Sequence, residues 1–507
     1  MPLTTTFEAN RLLLEGSLAL SEIEGVGVRV DREYVKKTIE DVGHTIRALH
    51  ADMQKDPVFA RMRRRFGDKT KLSSADQVAK LVFEDLGYTP VVMTEGGESE
   101  DPNERRGRAS ASAKALEHVD IPFVKNYLLA QKYTKLVTTY LGNIMQEMVQ
   151  HADGDWYVHP SYNLNTVVTF RSSCNNPNYQ NIYKRDPAFA AIMRKAYRSR
   201  REFQLGECDY SSAEVKVAAN YTLDPTAMRE AMDPKADPHR EAACKLLHLR
   251  PEQVNKYIRN TVKAAWVFAQ FYGDYYLSCA RNIWFQLQSP NAVVEGATDA
   301  AGKPLHVLEH LKAKGIKELG DCDPEQRPRP GTFEAHAQQV EEWYWGVKYP
   351  IHTQWKRDWY NEYLRRGGFM MKTGFAVNGV YKRNEVINSP IQGSSFHCLL
   401  KAMIRIVKLF KKYKFKSRVI GEVHDSLNLD IHPSERDDVI NLCRDSMTTW
   451  LVKQWPWLVV PPQVEPECCP VDGSWYDLAA LKEQDGIWVP ADADKWAAKY
   501  GDWSLQS

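Results

Sequence analysis

Apolar residues recur every three or four positions between residues 7 and 24, with charged residues between them, which predicts an amphipathic helix. Gly25 to Val30 reads as short and extended, and Asp31 is placed to cap a second helix running to about Met53. Ser74 followed by Gln77 predicts a capping box that opens a helix through Leu86. Residues 94–110 are rich in Gly, Glu, Asp and Arg and predict a mobile loop. A long helical stretch is expected from about Ile121 to His151. Residues 203–209 predict a strand ending in Asp209, with a helix starting soon after Ser212. Residues 239–280 read as mainly helical, 294–332 as an insertion with Gly, Pro and Asp clusters, and Phe333–Arg366 as helix again. The alternating runs Arg418–Glu422 and Leu427–Ile431 flank His424-Asp425-Ser426, which predicts a β-hairpin with charged groups at its turn. The last residues, 484–507, hold Trp488, Trp496 and Trp503 in a polar setting and read as an appended tail.

Composition narrows the class. A chain of 507 residues is too long for one compact core, so several subdomains are expected. With 67 Lys and Arg against 65 Asp and Glu, net charge does not announce nucleic-acid binding. Local charge says more. Three basic runs (Arg61 to Lys71, Arg105 to Arg108, and Arg194 to Arg201) predict basic patches on a cleft. The nine cysteines show no metal-type spacing and read as reduced, mostly buried thiols in a reducing compartment. No stretch is long and apolar enough to span a bilayer, and the N-terminus is not a signal peptide, so a cytoplasmic location is expected.

Asp209 and Asp425 carry the candidate chemistry. Phosphoryl transfer from a nucleotide needs metals, positioned phosphates and an aligned hydroxyl rather than covalent help from protein. Two Mg²⁺ ions about 3.5–4 Å apart clamp the attacking and leaving oxygens, and they prefer carboxylate ligands. Two carboxylates on rigid supports meet that need if their strands are neighbours in one sheet. A strand-end or turn aspartate is more often a simple cap, so neither residue carries the reading alone.

The surrounding residues add to it. Asp209-Tyr210-Ser211-Ser212-Ala213-Glu214, then Arg259, Lys263, Phe268, Tyr272 and Gly273, then Val423-His424-Asp425-Ser426, stand in that order. They resemble motifs A, B and C of family-A DNA polymerases. Arg171-Ser172-Ser173 with Asn176-Pro177-Asn178-Tyr179-Gln180-Asn181-Ile182, Asn388-Ser389-Pro390-Ile391-Gln392-Gly393, Asp237-Pro238-His239-Arg240 and Glu22 to Val28 match further family segments. The resemblance covers roughly residues 15 to 480 and is also similar to polymerases of tailed phages. It implies an α+β right-hand fold with an antiparallel palm sheet and helical fingers and thumb. It implies a template-directed, DNA-dependent DNA polymerase that extends a primer with deoxynucleoside triphosphates, in phage replication and hence the host cytoplasm. Asp209, Asp425 and the Tyr210 carbonyl are the implied ligands of two Mg²⁺, with Mn²⁺ as a substitute. Arg259, Lys263, His239, Phe268, Tyr272 and Glu214 are the implied nucleotide contacts; Lys263 would also donate a proton to the leaving pyrophosphate, and Glu214 would block a ribose 2′-hydroxyl. Arg171, Asn388, Gln392, His424 and Gln180 are the implied primer–template contacts, suited to minor-groove acceptors shared by all correct pairs.

The sequence departs from the family in four places. Motif B carries one extra residue, since a gapless match from Lys263 would put Val267 and Phe271 where the aromatic positions belong. One extra helical residue is commonly absorbed as a π-bulge, so a bulge is expected between Lys263 and Tyr272. Ser426 stands where the family has a third carboxylate, and Asn384 where it has Arg. The polymerase module begins almost at Met1, which predicts no 3′–5′ exonuclease in the chain and leaves room for a separate exonuclease, helicase or processivity partner. The expected parts are an N-terminal segment (1–44), thumb (45–165), palm (166–224 and 381–483), fingers (225–380, with the insertion 278–335) and tail (484–507). The competing readings are a single-subunit RNA polymerase, opposed by Glu214, and an inactive DNA-binding replisome protein, opposed by the intact Asp209, Asp425, Arg259 and Lys263.

Overall fold

The computed structural model describes residues 5–90, 109–116, 119–182 and 186–503. The expected loop at 94–110 and the second basic run fall almost wholly outside them. The helices that matter for the site are α1 (Thr6–Val26), α2 (Arg32–Lys55), α3 (Ala213–Thr222), α4 (Pro238–Leu247), α5 (Lys256–Val262), α6 (Phe333–Trp343), α7 (Pro350–Arg366), α8 (Arg383–Lys412) and α9 (Arg436–Met447). The central sheet uses β1 (Gln204–Tyr210), β2 (Arg418–Val423), β3 (Ser426–Ile431), β4 (Val464–Cys468), β5 (Ala479–Gln484) and β6 (Ile487–Pro490). All neighbours are antiparallel, in the order β2-β3-β1-β4-β5-β6.

Apolar side chains bury into three large cores. One joins α1, α8, α9 and the central sheet, a second lies among residues 219–349, and the third among 53–127. Such separate cores are what a chain too long for one core should build. The stripe Ala9, Leu12, Gly16, Ala19, Leu20 and Ile23 of α1 is buried. At Gly16 a Cβ would stand 2.8 Å from a methyl of Leu400, so α1 seats closely on α8 only without a side chain there. Asp31 caps α2 as its position predicts, accepting from the Tyr34 N–H at 3.0 Å.

Several expectations need correction. Ser74 does cap its helix, but Gln77 does not return the bond; its carboxamide reaches the backbone of Lys69 and Lys71 instead. The helical stretch from Ile121 ends at Glu147, because Val149–Gln150 pairs with Trp156–Val158 as a strand. The tail is not an appendage. β6 lies at the edge of the central sheet, Trp488 and Trp496 are buried, and Trp503 lies 4.0 Å from the Arg436 guanidinium. The third basic run does not form a patch either, since Arg198, Arg200 and Arg201 pair with Asp31, Asp430 and Asp155. All nine cysteines are free and eight are buried. Among the described residues, no helix is long and apolar enough to cross a membrane.

Candidate active site

Asp209 and Asp425, distant along the chain, meet at one end of the central sheet. Ser426 stands opposite Asp209 in the β3–β1 ladder, and the Tyr210 N–H donates to the Asp425 carbonyl at 3.1 Å. The turn between β2 and β3 is only His424-Asp425, with His424 at a positive φ of 64°. That tight turn exposes the His424 ring and leaves Asp425 half-buried beside Asp209. Two carboxylates and a backbone carbonyl at rigid strand ends are hard oxygen donors, the set that suits Mg²⁺. Among the described residues no cluster of three or more His, Cys, Asp or Glu could hold a metal. Ser426 adds no ligand: it is buried and its hydroxyl donates to the Val423 carbonyl at 3.2 Å.

Glu422 faces away from that turn. It is fully buried and accepts from Ser172 and, at 2.6 Å, from the Gln180 amide. Burial pushes its carboxyl up to about 7, against the lowering effect of Ser172 and Gln180. Gln180 is therefore placed below the surface, fastening the segment after Arg171 to the β2–β3 hairpin.

The motif-B residues converge through one helix. α5 continues into a π-helical turn, Lys263–Phe268, as the extra motif-B residue predicts. Arg259 lies one turn before Lys263, and its guanidinium donates to Asp237 at 2.7 Å. The Lys263 ammonium is 5.3 Å from the Phe268 ring, the His239 ring 5.6 Å from Phe268, and Phe268 6.1 Å from Tyr272. Burial and then the charges of Lys263 and Arg259 push His239 down to about 4, so it is neutral at pH 7. A neutral imidazole offers one N–H to a phosphate at no charge cost.

Tyr272 ties the helix that continues α5 to α3 and α8. Its hydroxyl donates to Glu214, the Asn388 amide donates to its carbonyl at 2.9 Å, and Arg171 lies 3.6 Å from Glu214. Burial, then the Glu214 charge, raises the Tyr272 phenol. Gln392 is half-buried on α8, four residues beyond Asn388. The following Gly273 has φ +87°, and a Cβ there would stand 2.4 Å from the Asn384 carboxamide. Asn384, where the family has Arg, thus packs on the end of that helix.

Three features escaped the sequence reading. Asp237 partners Arg259, Glu422 anchors the Arg171 segment, and Gln270 is a hub. The Gln270 side chain accepts from Trp345 at 2.6 Å and donates to Glu341 at 2.5 Å, while its carbonyl accepts from Lys356 at 3.2 Å. Only a buried Gln inside an apolar helix hinted at the last.

The chain is similar to known polymerases over most of its length. It is 24% identical to DNA polymerase I of Chloroflexus aurantiacus over 464 residues, 91% of this chain and 42% of that protein. The figures are 24%, 91% and 45% for DNA polymerase I of Bacillus subtilis, and 24%, 85% and 44% for the thermostable DNA polymerase I of Thermus aquaticus. The chain thus spans less than half the length of these bacterial relatives. A solved structure described as the POL domain of Pol1 from M. smegmatis, in complex with DNA primer-template and dNTP, superposes with a TM-score of 0.67. It is 20% identical, covering 92% of this chain and 70% of that one, which establishes the right-hand polymerase fold. The family model for DNA polymerase family A matches residues 40–295 and 352–474, well over half of the sequence. The chain belongs to DNA polymerase family A.

Proposed function

We propose that the chain is a DNA-dependent DNA polymerase that adds deoxynucleotides to a primer 3′ end. The observation that carries this is the meeting of Asp209 and Asp425 across the β3–β1 ladder, opposite a fingers helix lined with Arg259, Lys263, Phe268 and Tyr272. Asp209, Asp425 and the Tyr210 carbonyl would hold two Mg²⁺, with Mn²⁺ as a substitute. When bound, the ions would neutralise triphosphate charge and favour ionisation of the primer hydroxyl.

The chain's own groups do the rest. Arg259 and Lys263 neutralise phosphate oxygens, Arg by a fork and Lys as a point charge. Neutral His239 adds an N–H, and Lys263 is placed to give a proton to departing pyrophosphate. Phe268 packs beneath the nucleotide, and Tyr272 stacks near the template base. Glu214, held by Tyr272 and Arg171, occupies the space a 2′-hydroxyl would need, which favours DNA over RNA synthesis. Arg171, Asn388, Gln392 and His424 face the primer terminus and its minor groove, with Gln180 as support. Residues 45–165 act as thumb, 166–224 and 381–483 as palm, and 225–380 as fingers. The setting is cytoplasmic DNA replication, phage-encoded by the motif likeness.

Primer extension with each nucleotide type, with and without Mg²⁺, tests the reading. Metal-dependent extension by deoxynucleotides alone supports it. Equal use of ribonucleotides would make the chain an RNA polymerase, and binding without extension would make it a replisome scaffold.

A further inference from the structure

A cavity of 560 Å³ lies at the far end of α4 from His239. One wall is the C-terminal end of α4 with Lys245 and His248, a second is a face of α6 with His336 and Trp343, and a third is the loop carrying Lys314. That loop belongs to the stretch between the two family-matched regions. None of the described residues lining the cavity is Asp or Glu, although acidic residues nearly equal basic ones in the chain.

Two imidazoles stand together at its wall. The His248 and His336 rings lie 4.4 Å apart. The His336 ring donates to the Lys245 carbonyl at 3.3 Å, and His310 to the His248 carbonyl at 3.0 Å, capping the last carbonyls of α4. The first bond fixes the His336 ring. Burial, then Lys314, lowers the His248 pKa; burial, then His248, lowers that of His336. The Lys245 ammonium sits 4.8 Å from the Trp343 ring. Lys245, His248 and Lys314 are exposed and can be reached from solvent.

We propose that this cavity binds a nucleotide unit, its phosphate between Lys245 and Lys314 and its base against Trp343 and the imidazole pair. Ammonium groups without carboxylate partners are an anion site, and an aromatic wall beside them is the pairing that single-stranded nucleic acid uses. The volume lies within the range of small-ligand sites. The site is separate from the triphosphate contacts of Arg259 and Lys263. Two sources share this chemistry, an unpaired DNA strand and a free nucleotide.

Binding of a labelled twelve-residue oligothymidylate and of thymidine monophosphate to the intact chain decides the matter, compared among wild type, Lys245→Ala/Lys314→Ala and Trp343→Ala. For an unpaired strand, the double variant should weaken oligothymidylate binding roughly tenfold at low salt and reduce the log–log salt slope by about 0.7, one phosphate contact. Trp343→Ala should weaken it several-fold, about one stacked base, with the slope unchanged. For a free nucleotide, the monophosphate should bind as tightly as the oligomer and lose binding in both variants. Primer extension on a template with a two-residue overhang should stay at wild-type rate throughout. Wild-type binding of both probes by the double variant overturns the proposal, and so does a site that takes oligoglutamate but neither thymidylate probe.

Discussion

The central sheet and the helix that continues α5 hold their candidate site residues by opposite means. In the sheet, β3 runs beside β1 without a break from Ser426 opposite Asp209 to Ile431 opposite Gln204, and β4 lines the other side of β1. Asp209 is therefore fixed by backbone ladders on both flanks. In the helix after α5, Lys263 and Phe268 bound a π-helical turn, Tyr272 follows one turn later, and the helix end is held by side chains: Trp345, Glu341 and Lys356 at Gln270, and Glu214 and Asn388 at Tyr272. Lys356 is itself buried, and burial holds its ammonium well below the usual lysine range. Groups that must keep one geometry sit on main-chain hydrogen bonds. Groups expected to close over a nucleotide hang on side-chain bonds that can exchange partners.

The largest effect should come from the rigid half. Asp209→Asn or Asp425→Asn should each bring primer extension below detection while primer–template affinity, read by anisotropy, stays within about threefold of wild type. Extension surviving either change would mean that the meeting of the two carboxylates is structural.

The fingers offer a sharper comparison, by deletion. Removing Ala264, inside the π turn, lets the helix become regular and keeps Lys263, Phe268 and Tyr272 on one face. Removing Gln270, beyond the turn, rotates Tyr272 by about 100° and breaks the hub. The second deletion should cut kcat/KM for dNTP about a hundredfold, the scale of an ångström-level misplacement. The first should cost less than tenfold. Equal losses would show that the turn does not set the register. Glu214→Ala comes next in size: relative kcat/KM for ribonucleotides should rise about tenfold as the acidic wall and its bond to Tyr272 disappear. An unchanged ratio would move the sugar gate elsewhere.

The same division explains what the sequence disclosed. Local signals were enough for the palm: alternation predicted β2 and β3, the turn placed Asp425, and ladder pairing then brought it beside Asp209. The extra residue between Lys263 and Phe268 was legible because the neighbouring motif residues fixed its register. Long-range partners were not. Asp237 on Arg259, Asn384 against Gly273 and Lys356 on Gln270 are contacts between residues far apart in the chain or on different helices, and no periodicity encodes them. The tail misled for a related reason. Its tryptophans stand among polar residues in sequence, yet Trp488 and Trp496 are buried, their cover coming partly from a helix more than forty residues earlier: Trp488 bonds to Asp437 and Asn441 of α9.

Glu422 gives the smallest predicted effect and joins the two themes, being a strand residue whose role depends on remote partners. Its folded carboxyl is raised to about 7, so below about pH 4.5 it is protonated in both folded and unfolded chains and costs nothing. Between those values the unfolded chain releases the proton and the folded chain keeps it. Stability contributed by the neutral carboxyl is thus lost as pH rises from about 4.5 through 7, by about 3 kcal/mol for one group. Glu422→Gln keeps an oxygen to accept from Ser172 and Gln180 but cannot ionise. Urea midpoints at pH 5 and pH 8 should therefore differ less in the variant, with the variant gaining at pH 8. Palm chemistry should hardly change, since Asp209 and Asp425 keep their ladder. An identical pH difference in variant and wild type would mean that the buried carboxyl is already ionised when the chain is folded.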